Sequence, residues 1–342
     1  MDNLYIKKNK LGDKKLIIIL SSALGVVLVA AIVLAILLIN NGDGKDKNPN
    51  GTPALSATPV ATEEPVKKPI VEDATTLGER FNPPEGYVKV DVDSGSYAEF
   101  IRNYTLKPFN SVAYYYDDKT GSYLENKEAS KLGVFQLPTA LNRWMQCADS
   151  VIMLYAEHLY AEKKYSEISF TFANGFVCDW MSYMQGNRFN MKTNKWELKA
   201  EPSDTYETFQ KYLDLVYQFA NTDSLARDMS SSPAMDDIQI GDAFVVGVSQ
   251  LQAVASAINP DLDIKYGHAI FVVDVAVNKE TGKKIFMLAE GNTPATEIAV
   301  IENPNTDMGV WFEFNEVGQF VKSSESGLPW SAAWLKRFPG QK

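Results

Sequence analysis

The sequence predicts an α+β domain carried behind one membrane-spanning helix. Three observations predict it. A long uncharged run lies near the N-terminus, helical periodicity is concentrated in the middle of the chain, and β-prone apolar runs crowd the last third.

Residues 1–15 hold Lys7, Lys8, Lys10, Lys14 and Lys15 against Asp2 and Asp13, a positive tail on a chain of net charge −10. Leu16 to Ile39 is an uncharged run of 24 residues. As a helix it would span about 36 Å at roughly 1.5 Å per residue, enough to cross a hydrocarbon core of about 30 Å. Asp43, Lys45, Asp46 and Lys47 after it carry no net charge. The positive-inside bias therefore makes 1–15 a cytoplasmic basic tail, 16–39 a transmembrane helix, and the rest extracytoplasmic: a single-pass protein of the cell membrane. A cleaved signal peptide is the competing reading. It would have a shorter apolar stretch and a small-x-small site, and Asn40-Asn41-Gly42-Asp43 offers none. Residues 40–79 contain Pro49, Pro53, Pro59, Pro65 and Pro69 without apolar periodicity, and read as a disordered extracytoplasmic linker. The α+β domain follows at 80–342.

Within that domain, Pro83-Pro84-Glu85-Gly86 is a turn before a strand from Tyr87, and Ser96 to Tyr104 a short helix. Val112 to Tyr116 and Gly133 to Leu137 read as strands. The strongest helix runs through Leu141, Trp144, Met145, Ala148, Val151, Ile152, Tyr155 and Leu159, with Thr139 available as its cap. Ser166 to Phe172 alternates like a strand. A loop with Trp180 and Trp196 follows, open to reading as satellite core or as a ligand platform. Tyr206 to Phe219 is a second amphipathic helix, and Ser224 to Met229 a short third. The final third holds Ala243 to Val248, Ala269 to Val277, a turn at Asn278–Gly282, and returning strands at Ile285 to Ala289, Ile298 to Ile301 and Trp311 to Phe314.

Composition excludes several functions. The chain is 45% apolar and 22% charged, ordinary for a globular protein. Its acidic balance and lack of a basic patch argue against nucleic acid as a partner. Two cysteines and two histidines, with no HExxH or CxxC, leave no ligand set for a metal, and no cofactor motif occurs.

That scarcity narrows any nucleophilic chemistry to few residues. Cys147 lies early in the strong helix, where a helix start favours a thiolate if the helix begins near it. His268 follows Gly267 and opens a strand. Glu290, or Asn292 two positions on, ends the returning strand and could hold the imidazole by its second nitrogen. The catalytic candidates are thus Cys147, His268 and Glu290. Other readings stay open: Cys147 as a buried small hydrophobe, a Cys147–Cys178 disulfide, and Glu290 as a solvated strand end. His158, deeper in the same helix, reads as structural.

The stretches Gln146-Cys147-Ala148-Asp149, Gly241-Asp242-Ala243-Phe244-Val245 and Gly267-His268-Ala269-Ile270-Phe271-Val272-Val273 resemble, in kind and order, papain-like peptidases and amidases of the NlpC and CHAP kinds. That resemblance implies a helix packed on a largely antiparallel sheet, and cleavage of amides in peptides or bacterial cell wall. Over about 79–320 the chain also resembles a bacterial family described as domain of unknown function 4846. The segments carrying this are Arg80-Phe81-Asn82-Pro83-Pro84-Glu85-Gly86-Tyr87, Gln146-Cys147-Ala148-Asp149, Ile240-Gly241-Asp242 and Val275-Ala276-Val277-Asn278-Lys279-Glu280-Thr281-Gly282. The expectation is a membrane-anchored cysteine hydrolase with a cell-wall, peptide or protein substrate. The alternative is a non-catalytic envelope binding or scaffold module on the same fold.

Overall fold

The computed structural model describes residues 68–341, apart from 259, 262 and 324–327. The expected cytoplasmic tail, transmembrane helix and most of the linker lie outside the described residues. No helix among the described residues is long and apolar enough to cross a membrane. The chain forms two compact units, 1–62 with 253–262, and 63–252 with 263–342. The first is described only at 253–258, the end of the helix Val248–Ile258, and at 260 and 261; the second carries the fold and the site.

The architecture is α+β. An antiparallel sheet contains β1 (Tyr87–Lys89), β2 (Ala243–Val246), β3 (His268–Asn278), β4 (Lys284–Glu290), β5 (Ala299–Val300), β6 (Trp311–Phe312) and β7 (Leu335–Lys336). Its order is β5-β4-β3-β2-β7, with β1 also pairing β3 and β6 also pairing β4. Every pairing is antiparallel. β3 is buried along most of its length, which is why its sequence reads as a continuous apolar run. Asp274 interrupts that run because Lys89 and Arg102 neutralise it, at 2.8 and 2.5 Å.

Four of the helices frame the site: α1 (Tyr97–Arg102), α2 (Cys147–Ala161), α3 (Tyr206–Phe219) and α4 (Thr222–Asp228). α2 packs on β3 and is covered by α1, α3 and α4. It is buried nearly all round, so its sequence carries little polar face. His158 lies buried on it, against Tyr97 and Phe100, the structural role expected.

Several elements differ from expectation. α2 begins at Cys147 rather than near Ala140, and Gln146 rather than Thr139 is its N-cap. The Asn142 side chain accepts the Trp144 N–H at 2.8 Å, and the Met145 N–H donates to the Asn142 carbonyl. This local turn competes with helix, while Leu141 and Met145 still bury their side chains. Helical spacing thus survives ahead of the helix itself. Gly133–Leu137 contributes isolated bridges instead of a strand. The expected loop around Trp180 and Trp196 is structured, with hairpins at 169–179 and 187–198 and a short helix Trp180–Met184. Trp180 is wholly buried among Tyr165, Tyr183, Phe209 and Tyr212, so the aromatics there belong to the main core rather than to a satellite or a ligand platform. Packing also begins ahead of Arg80: Ile70 bridges Phe81 and Leu77 is buried.

Candidate active site

Cys147 is the first residue of α2. The Asp149 carboxylate folds back to accept the Gln146 N–H at 3.0 Å, fixing where the helix starts. The first N–H groups of a helix lack intrahelical acceptors, so the sulfur sits where backbone donors and the helix dipole favour negative charge. Cys147 is only 4% exposed, yet it lines a cleft of about 370 Å3 with Trp144, Tyr217 and Gly267. Both cysteines are free, which excludes the Cys147–Cys178 disulfide. Cys178 is wholly buried in the 169–179 hairpin, and burial pushes its thiol well above the ordinary value.

His268 opens β3, opposite Val246 of β2. Gly267 before it is needed for this approach: a Cβ there would lie 2.7 Å from the Val246 carbonyl oxygen. The Cys147 sulfur lies 4.0 Å from the Gly267 carbonyl oxygen, and the neighbouring His268 imidazole acts on the thiol through its charge and by hydrogen bonding. Its Nε2 is 2.5 Å from Glu290 Oε2, which leaves Nδ1 for the sulfur.

A β-bulge brings Glu290 to this face. From Lys284 to Met287, β4 pairs with β3 in one register; after Met287 the register shifts by one residue. Beyond the shift Ala289 faces Phe271, so Glu290 faces Ile270 and stands diagonal to His268 on the same side of the sheet. Without the bulge Glu290 would project to the opposite face. Asn292 instead accepts the Thr293 N–H of its own loop, and takes no part in holding His268 in the way Glu290 does.

Lys322 completes the cluster. Its Nζ lies 2.6 Å from Glu290 Oε2 and 3.5 Å from His268 Nε2. Trp330 places its edge against the imidazole, ring centres 5.8 Å apart. Neither residue is singled out by the sequence reading. They belong to the C-terminal hairpin Gln319–Val321 with Pro329–Ser331, two strands too short to announce themselves by alternation.

The electrostatics follow. Burial would raise the Cys147 thiol, but the His268 charge and hydrogen bond, the Ala269 N–H and the Thr293 hydroxyl outweigh it and draw the thiol below its ordinary 9.0. Burial and Lys322 push His268 down, while Cys147 and Glu290 push it up and prevail at about 9. Burial would raise Glu290, but Lys322 and His268 hold it at about 2. The arrangement is a thiol drawn toward its thiolate beside an imidazole drawn toward its imidazolium, braced by a carboxylate. Such a set can attack a carbonyl and protonate a leaving group.

All three sequence candidates therefore meet. Asp242 does not join them: it lies at the far end of β2 from His268, held by Arg337 at 2.6 Å. Among the described residues no group of His, Cys, Asp and Glu could hold a metal ion.

The fold and site define an α+β domain with a Cys–His–Glu cluster at the junction of one helix and one sheet. A family model described as domain of unknown function (4846) matches residues 77–329, and the chain belongs to that family. No curated protein and no solved structure matches it.

Proposed function

We propose that the domain is a cysteine hydrolase of papain-like kind, acting on amide bonds of cell wall or peptides outside the membrane to which residues 16–39 anchor it. The observation that carries this reading is that Cys147 stands beside His268, each shifting the other's titration, with Glu290 Oε2 2.5 Å from His268 Nε2. A Cys at the first position of a helix, packed on adjacent antiparallel strands bearing His and acid, is also the arrangement the NlpC and CHAP resemblance implies.

The Cys147 thiolate attacks the amide carbonyl carbon, and the first-turn N–H groups of α2 face the developing oxyanion. The His268 imidazolium gives its proton to the leaving amine. Water, deprotonated by His268, then hydrolyses the acyl-enzyme and restores the thiolate. Glu290 orients His268, and Lys322 orients Glu290.

The purified full-length protein is incubated with isolated cell-wall sacculi and, separately, with an unfolded polypeptide, and new amino groups are counted. Release is expected, and is lost in Cys147→Ala and His268→Ala. No release from either substrate, together with Cys147 alkylation no faster than in the urea-unfolded chain, contradicts the hydrolase. That outcome favours the second reading, a non-catalytic envelope binding or scaffold module, which the near-complete burial of the Cys147 residue supports.

A further inference from the structure

The cleft beside Cys147 holds more polar structure than amide cleavage uses. Its carboxylates are Asp149 and Asp223, and among the described residues no Lys, Arg or His lines it. Asp223 crosses from α4 towards β2, its Oδ1 standing 2.7 Å from where a Cβ on Gly247 would be. Asp149 is 4% exposed. One of its oxygens caps α2 by accepting the Gln146 N–H. The other, Oδ1, is buried without a hydrogen-bond partner among the described residues.

A native fold seldom leaves a buried acceptor unmet, and such an orphan calls for a function. Capping does not require an acid here. An Asn side-chain oxygen would accept the same Gln146 N–H, and its amide would avoid the cost of a buried carboxyl group. The acid is explained if something cationic enters the cleft and meets Oδ1. An ammonium also suits a pocket whose titratable lining is acidic throughout.

We propose that this cleft is an ammonium subsite, in which Asp149, with Asp223 at the opening, binds a primary ammonium of the substrate. Asp149 is two residues from Cys147, and an extended residue spans only about 3.5 Å. The amide cut at Cys147 therefore lies within a residue or two of a free amino group. The word substrate rests on the hydrolase reading; the subsite itself is a binding claim.

The electrostatics of Asp149 fit this. Burial holds the Asp149 carboxyl well above the usual carboxylate range, which favours its neutral form and lessens its repulsion of the Cys147 sulfur. The titratable groups facing it are Cys147 on its own helix and Tyr217 from α3. An arriving ammonium ionises Asp149 and brings the charge that offsets it.

The test uses the full-length Cys147→Ala protein, which binds without turnover, so a failed subsite and a failed nucleophile give different results. Calorimetric titrations are run at about pH 6, below the roughly 7.7–8.0 of an α-amine. The probes are alaninamide (an α-ammonium), N-acetyl-lysinamide (a side-chain ammonium) and N-acetyl-alaninamide (neither). At least one ammonium probe is expected to bind ten times or more tighter than N-acetyl-alaninamide, and the tighter of the two identifies the source. That preference is expected to vanish in Cys147→Ala/Asp149→Asn. Repeating the titration of the Asp149-containing protein in buffers of different ionisation enthalpy should show net proton release on binding. Equal binding of all three probes, no binding of any, a preference that survives Asp149→Asn, or no proton release overturns the proposal.

Discussion

Replacing Glu290 by Gln removes one charge and keeps the shape and a hydrogen-bonding end, so it isolates the electrostatic part of the site. In the native cluster Glu290 Oε2 is 2.5 Å from His268 Nε2 and 2.6 Å from Lys322 Nζ. With charge centres roughly 4 Å apart and an effective dielectric near 20, the carboxylate favours the imidazolium by about 4 kcal/mol. At about 1.4 kcal/mol per pH unit this is roughly 3 units of imidazole pKa. The substitution also leaves Lys322, 3.5 Å from the same nitrogen, as an uncompensated cation. His268 is therefore expected to fall from about 9 to roughly 6 or lower, and the Cys147 thiol, deprived of its cationic partner, to rise. The assay is the rate of Cys147 alkylation by iodoacetamide across pH. The unaltered protein should react at pH about 6.5 at least ten times faster than Glu290→Gln, whose inflection moves up by a unit or more. Superimposable profiles would refute the electrostatic coupling of the three residues.

Mass mapping of the same alkylation should find Cys147 labelled and Cys178 untouched in the folded protein; labelling of Cys178 first would contradict the burial that separates them. The cluster also makes stability depend on pH. His268 is raised from 6.5 to about 9, so its contribution is full below pH 6.5 and lost as pH rises through about 9. Glu290 is lowered from 4.5 to about 2, so its contribution is full above pH 4.5 and lost as pH falls through about 2. Because the groups titrate together, the network is worth on the order of 3 kcal/mol in all. The gap in urea stability between the unaltered protein and Glu290→Gln should be widest at pH 4.5–6.5, and one that is flat from pH 5 to 10 contradicts the linkage. Away from the site, Arg337→Met strands the buried Asp242 and should lower urea stability by about 3–5 kcal/mol; an unchanged midpoint would show that the pair holds nothing.

Much of this fold is legible in the sequence because burial writes itself into periodicity. α3 spans Tyr206–Phe219, the bounds its amphipathic spacing predicts, and β3 and β4 differ from the apolar runs by a residue at each end. The start of α2 is not legible in that way, since Leu141 and Met145 bury themselves from an Asn142-centred turn. Nor is the helix Val248–Ile258, where the sequence reading extends a strand to Val248. At the site, the scarcity of Cys and His leaves few candidates, and their order along the chain suggests how they meet. The bulge that decides between the two faces for Glu290 has no such signal: it falls within runs buried on both faces, where a one-residue slip leaves the apolar pattern unchanged. Lys322 is equally silent, an ordinary lysine beside a short strand until the hairpin carries it back to Glu290.

The central claim is that the charged His268 beside it draws the Cys147 thiol below its ordinary value. Thiolate absorbance in the far ultraviolet reads this directly, as the difference between the unaltered full-length protein and Cys147→Ala. The difference should develop at a pH below 9.0 in the unaltered protein and should move up when His268 is replaced by Ala. A difference that emerges only as pH approaches the ordinary thiol value of 9.0, or that is indifferent to His268, would contradict the claim.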